Sequence, residues 1–189
     1  MTPWYASSST NPFNVNKGYV DFEKMLGVEG VALINKVLNP REAQMGSTKK
    51  LQTLITYDKG GSWLPLPAPE KDAACKKPCS LSLHGFTERR KVRNEASDPG
   101  AVGMMIGVGN VGESLDIYEN GNTYLTRDAG KTWVRSLVLM SVDGQVEILK
   151  GPHLFEFGDH GGALLMAHAS QTIDHVLYGF TKRFVLIIY

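Results

Sequence analysis

Two stretches of this chain repeat one eight-residue pattern: Thr56-Tyr57-Asp58-Lys59-Gly60-Gly61-Ser62-Trp63 and Thr126-Arg127-Asp128-Ala129-Gly130-Lys131-Thr132-Trp133. Both read Thr-x-Asp-x-Gly-x-x-Trp, and each follows an apolar, strand-like run. An aspartate is short enough to accept hydrogen bonds from backbone N–H groups two or three residues ahead. Gly60 and Gly130 can take the positive φ that a tight reversal between antiparallel strands needs. Thr56 and Thr126 offer a hydroxyl to the same turn. Trp63 and Trp133 place a large ring at the start of the returning strand, where burial is expected and the indole N–H needs a partner. Each stretch therefore predicts a hairpin, and its aspartate has a structural role, not a catalytic one.

This turn is the Asp-box of β-propellers, and two full matches make an all-β chain the leading reading. The boxes begin at positions 56 and 126, 70 residues apart. Propeller blades of the common repeat families run roughly 40–50 residues. A long loop or insertion must therefore separate these two.

The rest of the pattern agrees. Residues 28–38 read as a strand closed by Asn39-Pro40, residues 41–50 as a polar loop, and residues 51–57 with 63–66 as the first box hairpin. Residues 65–78 carry four prolines and predict an excursion without a central strand. Short strands follow at 80–86, at 102–108 (with Gly109-Asn110-Val111-Gly112 after it) and at 122–127. Residues 87–100 read as a charged loop. Asp143-Gly144 sits between two β-rich runs within residues 136–150 and predicts another hairpin. Residues 154–157 and 163–167 form a further strand pair. No stretch keeps a helical period over ten or more residues.

Composition narrows the function classes. With 42% hydrophobic residues the chain can build a core, and a net charge of +1 gives no argument for nucleic acid. The basic run Arg89-Arg90-Lys91-Val92-Arg93 reads as a solvated loop. No apolar stretch approaches the roughly 18 residues of a membrane span, and residues 1–17 are polar and irregular, without the pattern of a signal peptide. Cys75 and Cys79 are the two cysteines of the chain. They leave three readings open: a small-loop disulfide, half of a metal site, or two free thiols.

Beyond the boxes, several motifs act as a set. Residues 51–63 are followed by Leu81-Ser82-Leu83-His84-Gly85-Phe86-Thr87-Glu88-Arg89, then by Gly103-Met104-Met105-Ile106-Gly107-Val108-Gly109-Asn110-Val111-Gly112. Gly151-Pro152-His153-Leu154-Phe155-Glu156-Phe157-Gly158-Asp159-His160-Gly161-Gly162 completes them. Together they resemble the Vps10 domain of the sortilin family, most closely fungal vacuolar protein sorting receptors, over residues 18–178. The resemblance implies a partial β-propeller of about two to three blades, of the ten-bladed Vps10 type. Residues 1–17 precede it as an irregular segment and 179–189 follow it as a divergent tail. It further implies the lumenal part of a single-span Golgi and endosomal receptor that binds soluble protein cargo for transport to the vacuole, with the remainder of the propeller normally required. It implies no cofactor. Family cysteines in the loop after this Asp-box favour a Cys75–Cys79 disulfide. No cargo-contacting residue can be carried over.

Two departures stand out. Residues 136–149 intervene where the family passes from the Asp-box tryptophan to the Gly-Pro-His stretch within a few residues. After Tyr178 the family continues into another Asp-box, whereas this chain reads Gly179-Phe180-Thr181-Lys182-Arg183-Phe184-Val185-Leu186-Ile187-Ile188-Tyr189. Both departures look like sequence read through intron boundaries or a truncated copy, with a lineage-specific insertion and ending as the alternative.

The competing functional readings are an Asp-box glycosidase of the sialidase kind and a non-functional truncated product. A sialidase needs an arginine cluster and a Tyr/Glu nucleophile pair. The Arg-Ile-Pro type of motif that announces it is absent, and Arg41 follows Pro40 in the wrong order. No catalytic residue is proposed. His153, His160, His168 and His175 recur at intervals of seven or eight residues. That spacing straddles turns and lacks acidic or thiolate ligands at fixed offsets, so satisfied loop and core histidines, or lumenal pH sensors, outrank a metal site.

Overall fold

The computed structural model describes residues 13–16, 19–69, 79–85, 87, 96–135, 138–140, 146–148, 150–169, 177–180 and 183–188. Near its start β1 (Val15–Asn16) and β2 (Tyr19–Val20) form a two-stranded antiparallel ribbon. A strand thus begins inside the segment expected to be irregular.

The first four-stranded sheet is a meander of β3 (Phe22–Lys24), β4 (Ala32–Val37), β5 (Leu51–Thr56) and β6 (Leu64–Pro65). The strand expected over 28–38 is shorter because Gly27 and Gly30, both at positive φ, shape the turn before it. The loop expected over 41–50 opens with a short helix, α1 (Pro40–Gln44). Proline at the first helical position lacks only an N–H that would have had no partner there, and five residues are too few to show a period in the sequence.

The second sheet repeats the plan with β7 (Ser80–Leu83), β8 (Met105–Gly112), β9 (Asn122–Thr126) and β10 (Val134–Arg135). Residues 109–112, expected to follow the strand, belong to β8, where they pair with β7 from Leu83↔Gly109 to Ser80↔Gly112. Each Asp-box joins the third and fourth strands of its sheet. The 70-residue offset is thus one blade enlarged by the long connections on either side of β7.

The third sheet has six strands. β11 (Val138–Met140) and β12 (Val146–Ile148) form the hairpin expected around Asp143-Gly144, with Val138 opposite Ile148. β13 (His153–Gly158), β14 (Ala163–His168), β15 (Leu177–Phe180) and β16 (Arg183–Ile188) form a third antiparallel meander. β11 then pairs in parallel with β16. The divergent tail is therefore a strand inside a sheet. The architecture is all-β with antiparallel blade-like meanders, consistent with a partial Vps10 propeller.

Alternation along the middle sheet shows why these strands stack. Met105 and Tyr124 pack with Met25, Leu33, Ile55 and Trp133 in one cluster between the first and second sheets. Their chain neighbours Ile106 and Leu125 pack with Phe155, Leu164, Met166 and Leu177 of the third. With a period of two, a strand covered on both faces buries every residue. The four residues of β7 and the first five of β8 are all buried.

A buried polar network crosses the first junction. Asp21, 1% exposed, accepts hydrogen bonds from Asn14 Nδ2 (2.7 Å), Asn35 Nδ2 (3.2 Å) and the backbone N–H of Thr87 (2.7 Å). Asn35 also donates to the Leu83 carbonyl at 3.0 Å. Gly85 makes room for the carboxylate, since a Cβ there would lie 2.6 Å from Asp21 Cγ. Removing the carboxylate strands three donors, two of them on buried amides. We expect Asp21→Ala to destabilise the chain by roughly 1.5–3 kcal/mol, the range for bonds to a charged acceptor. Urea denaturation measures this, and an unchanged midpoint would show that the network contributes nothing.

Candidate functional site

The two boxes superimpose bond for bond. Thr56 Oγ1 donates to Asp58 Oδ1 at 2.8 Å, and the Ser62 N–H reaches the same oxygen at 2.8 Å. Ser62 Oγ donates to Asp58 Oδ2 at 2.7 Å. In the second box the corresponding distances from Thr126 Oγ1, Thr132 N and Thr132 Oγ1 to Asp128 are 2.8, 2.9 and 2.7 Å. The threonine hydroxyl in turn accepts the glycine N–H, Gly60 in one box and Gly130 in the other, each at 2.9 Å. All the bonds of Asp58 and Asp128 named here close within their own turns.

The backbone departs from expectation in one respect. The left-handed conformation covers two consecutive residues, Lys59 (φ 60°) with Gly60 (φ 93°), and Ala129 (φ 60°) with Gly130 (φ 86°). The residue ahead of each glycine is held there by a backbone bond. Lys59 N–H donates to the Gly30 carbonyl at 3.1 Å, and Ala129 N–H to the Gly103 carbonyl at 3.0 Å. Each box is thereby tied to the turn that precedes the second strand of its own sheet.

The tryptophans differ. Trp133 is 3% exposed and its Nε1–H donates to the Gly130 carbonyl at 3.2 Å. Trp63 is only half-buried and lies beside Phe13, ring centroids 6.4 Å apart. The reason is positional. Trp133 reaches the core of the sheet in front of its own, alongside Ile55 and Leu33. Trp63 belongs to the first four-stranded sheet and lies outside the cluster that buries Trp133.

Hydrogen bonds at Asp58 hold its carboxyl at about 2, led by the Ser62 hydroxyl, then the Ser62 N–H and the Thr56 hydroxyl. At Asp128 burial acts the other way and is the largest single influence. The bonds from Thr132 and Thr126 together outweigh it, so the value is still lowered. Burial pushes the Tyr57 phenol up, and the Asp128 carboxylate adds to this, which places the first box beside the second.

A second repeated element escaped the sequence reading. Thr53, on β5, accepts the backbone N–H of Leu83 on β7 at 2.7 Å and donates to Asn35 Oδ1 at 2.6 Å. Thr123, on β9, accepts the N–H of His153 on β13 at 2.9 Å. In each case a buried hydroxyl on the third strand of one sheet takes an N–H from the first strand of the next. Both threonines stand three residues before the box threonine, so the motif is longer than eight residues: Thr-x-x-Thr-x-Asp-x-Gly-x-x-Trp. The extra threonine was legible had the repeat been extended towards its N-terminal side.

The histidines divide. His153 is 2% exposed and directly opposite His168 across the β13–β14 pair, ring centroids 5.1 Å apart. Its Nδ1 lies 3.1 Å from the Gly151 carbonyl and 3.3 Å from Thr123 Oγ1. Burial lowers its pKa most. The Gly151 carbonyl opposes this, and the neighbouring His168 lowers it further. His160 is exposed on the β13–β14 turn at φ 51°. His175 and Cys75 lie outside the described residues, as do residues 88–95 with the whole of the basic run. Cys79 is disulfide-bonded. Among the described residues no three His, Cys, Asp or Glu side chains gather as a metal site would need.

The first strands of the three meanders converge on one cavity. Asp21, Glu23, Leu83, His84, His153 and Leu154 are among the residues that line it. Its volume is about 50 Å³. That is room for a few waters, whereas small-molecule sites run to several hundred Å³. This cavity is too small to enclose a sugar, whereas a second, open hollow of about 590 Å³ is lined by residues 24–32 and Lys59. Among the described residues no helix is long and apolar enough to cross a membrane.

Comparison with known proteins gives a consistent answer. The profile of the family described as Sortilin-Vps10 (sortilin, neurotensin receptor 3) matches residues 4–181. A vacuolar protein sorting/targeting protein 10 of Pyrenophora teres is 44% identical over 172 residues, covering 86% of this chain and 11% of that protein. The protein of the same name in Laccaria bicolor is 42% identical over 174 residues, 87% of this chain and 11% of its own length. An uncharacterized membrane glycoprotein of Saccharomyces cerevisiae is 43% identical over 173 residues, 85% of this chain and 14% of its own. The chain thus spans between a tenth and a seventh of these relatives.

Two outcomes follow from the geometry. The Thr132 N–H that Asp128 accepts is solvent-exposed, so Asp128→Ala should cost about 1 kcal/mol, a typical net hydrogen bond rather than a stranded buried donor. A thermal melt without a shift would contradict this. The second concerns His153. Its folded pKa is lowered, so the unfolded chain takes up a proton first as pH falls. Its stabilising effect is complete above about pH 6.5, the ordinary histidine value, and is lost as pH drops towards the folded value. Melting temperature should fall between pH 7.5 and 5, and His153→Gln should flatten that slope. A slope unchanged by the substitution would remove His153 as its source.

Proposed function

The chain belongs to the sortilin–Vps10 family, and on that premise we propose that it forms part of a receptor's cargo-binding lumenal domain. The cargo class is soluble protein carried from Golgi to endosome and vacuole. What supports this reading is the repeated blade junction, in which a threonine hydroxyl three residues before each box takes an N–H from the next sheet. Such an array presents broad edges on which a protein surface can rest. Recognition then works by surface complementarity between proteins and calls for no cofactor. The relatives are named for sorting and targeting, which favours a receptor over a glycosidase. The disulfide at Cys79 suits an oxidising lumen, with Cys75 as its proposed partner, and the remainder of the propeller supplies the other blades.

The test is a segment exchange. Residues 19–135, carrying both boxes and the first junction, replace the matching segment in the receptor of a fungal relative, in cells lacking their own copy. Vacuolar hydrolases should still reach the vacuole. Secretion of the hydrolases, with the chimera present at normal level and in its normal membranes, would overturn the proposal.

A further inference from the structure

The two segments that depart from the family pattern meet in space. β11 and β16 pair in parallel at Leu139↔Leu186. β16 pairs on its other side with β15 at four positions, from Leu177↔Ile188 to Phe180↔Arg183. β12 is left as the outermost strand of that side of the sheet.

We infer that the hairpin β11–β12 is an edge guard: it occupies the side of β16 that would otherwise pair with β16 of a second copy of this chain. The argument rests on what each strand would offer as an edge. β16 reads Arg183-Phe184-Val185-Leu186-Ile187-Ile188, β-rich and uncharged after its first residue. A run of this kind, with a free row of N–H and C=O groups, is a template for intermolecular pairing. β12 is three residues long and carries Glu147 at its centre. Short, charged strands are how sheet edges resist pairing. The hairpin therefore exchanges a hazardous edge for a safe one. It also accounts for the two departures together, because the apolar run of β16 is safe where the hairpin is present to cover it.

The test compares the full chain with a variant lacking residues 136–149. The full chain should elute as a monomer. The deletion variant, with buried Trp133 fluorescence retained, should shift to dimers or larger species at the same concentration. Adding Leu186→Lys to the deletion should return it to monomer. Should the deletion fail to fold, Leu139→Pro in the undeleted chain unpairs the guard without shortening the chain. Alternate β16 amides should then exchange about tenfold faster or more than in the unaltered chain. A monomeric deletion variant, association unaffected by Leu186→Lys, or β16 exchange unmoved by Leu139→Pro would each overturn the inference.

Discussion

A sheet buried on both faces can be held in register only if something fixes it against its neighbours, and here that task falls to a threonine hydroxyl. The middle sheet has no solvent face along β7 and the first part of β8. Apolar packing favours its burial but is nearly indifferent to sliding. The bonds from Leu83 N–H to Thr53 and from His153 N–H to Thr123 are directional. Each serves an N–H on the first strand of a sheet, at an edge where a donor would otherwise be buried alone. One falls on the last residue of β7 and the other on the first residue of β13. The Asp-box, three residues further on, then reverses the chain at a fixed distance from that contact. The two devices together turn a row of hairpins into a stack.

The sequence disclosed the boxes because their chemistry is local. Asp58 and Ser62, or Asp128 and Thr132, are four residues apart, and the turn between them is written in adjacent letters. The hairpin at Asp143-Gly144 was legible for the same reason. What stayed hidden depends on distant partners. Asp21 looks like an ordinary surface aspartate until Thr87, 66 positions away, donates to it. The half-burial of Trp63 could not be read from a motif identical to that of Trp133, since burial depends on which sheet lies in front. The latching threonines were visible as a repeat, but their meaning required the strand that meets them. Similarly, neither residues 136–149 nor the run after Tyr178 announces the other. Their pairing is a tertiary fact that the local pattern of neither segment carries.

The two junctions are built from different chemistry, and acid reaches the second through a histidine. At the first, Thr53, Asn14 and Asn35 gather around Asp21 and the Leu83 carbonyl. The ionisable group there is a carboxylate held by three donors. At the second, the residue that meets the latching threonine is a buried histidine whose proton uptake is opposed by its surroundings. Proton uptake by His153 as the chain moves to mildly acid conditions therefore costs stability where the middle sheet meets the third. The interface that loosens joins the middle sheet to the one carrying β16 and its guard. Local opening draws on the least stable contacts first. Acid thus reaches the stack through His153, which meets its latching threonine in the place that Leu83 holds at the other junction.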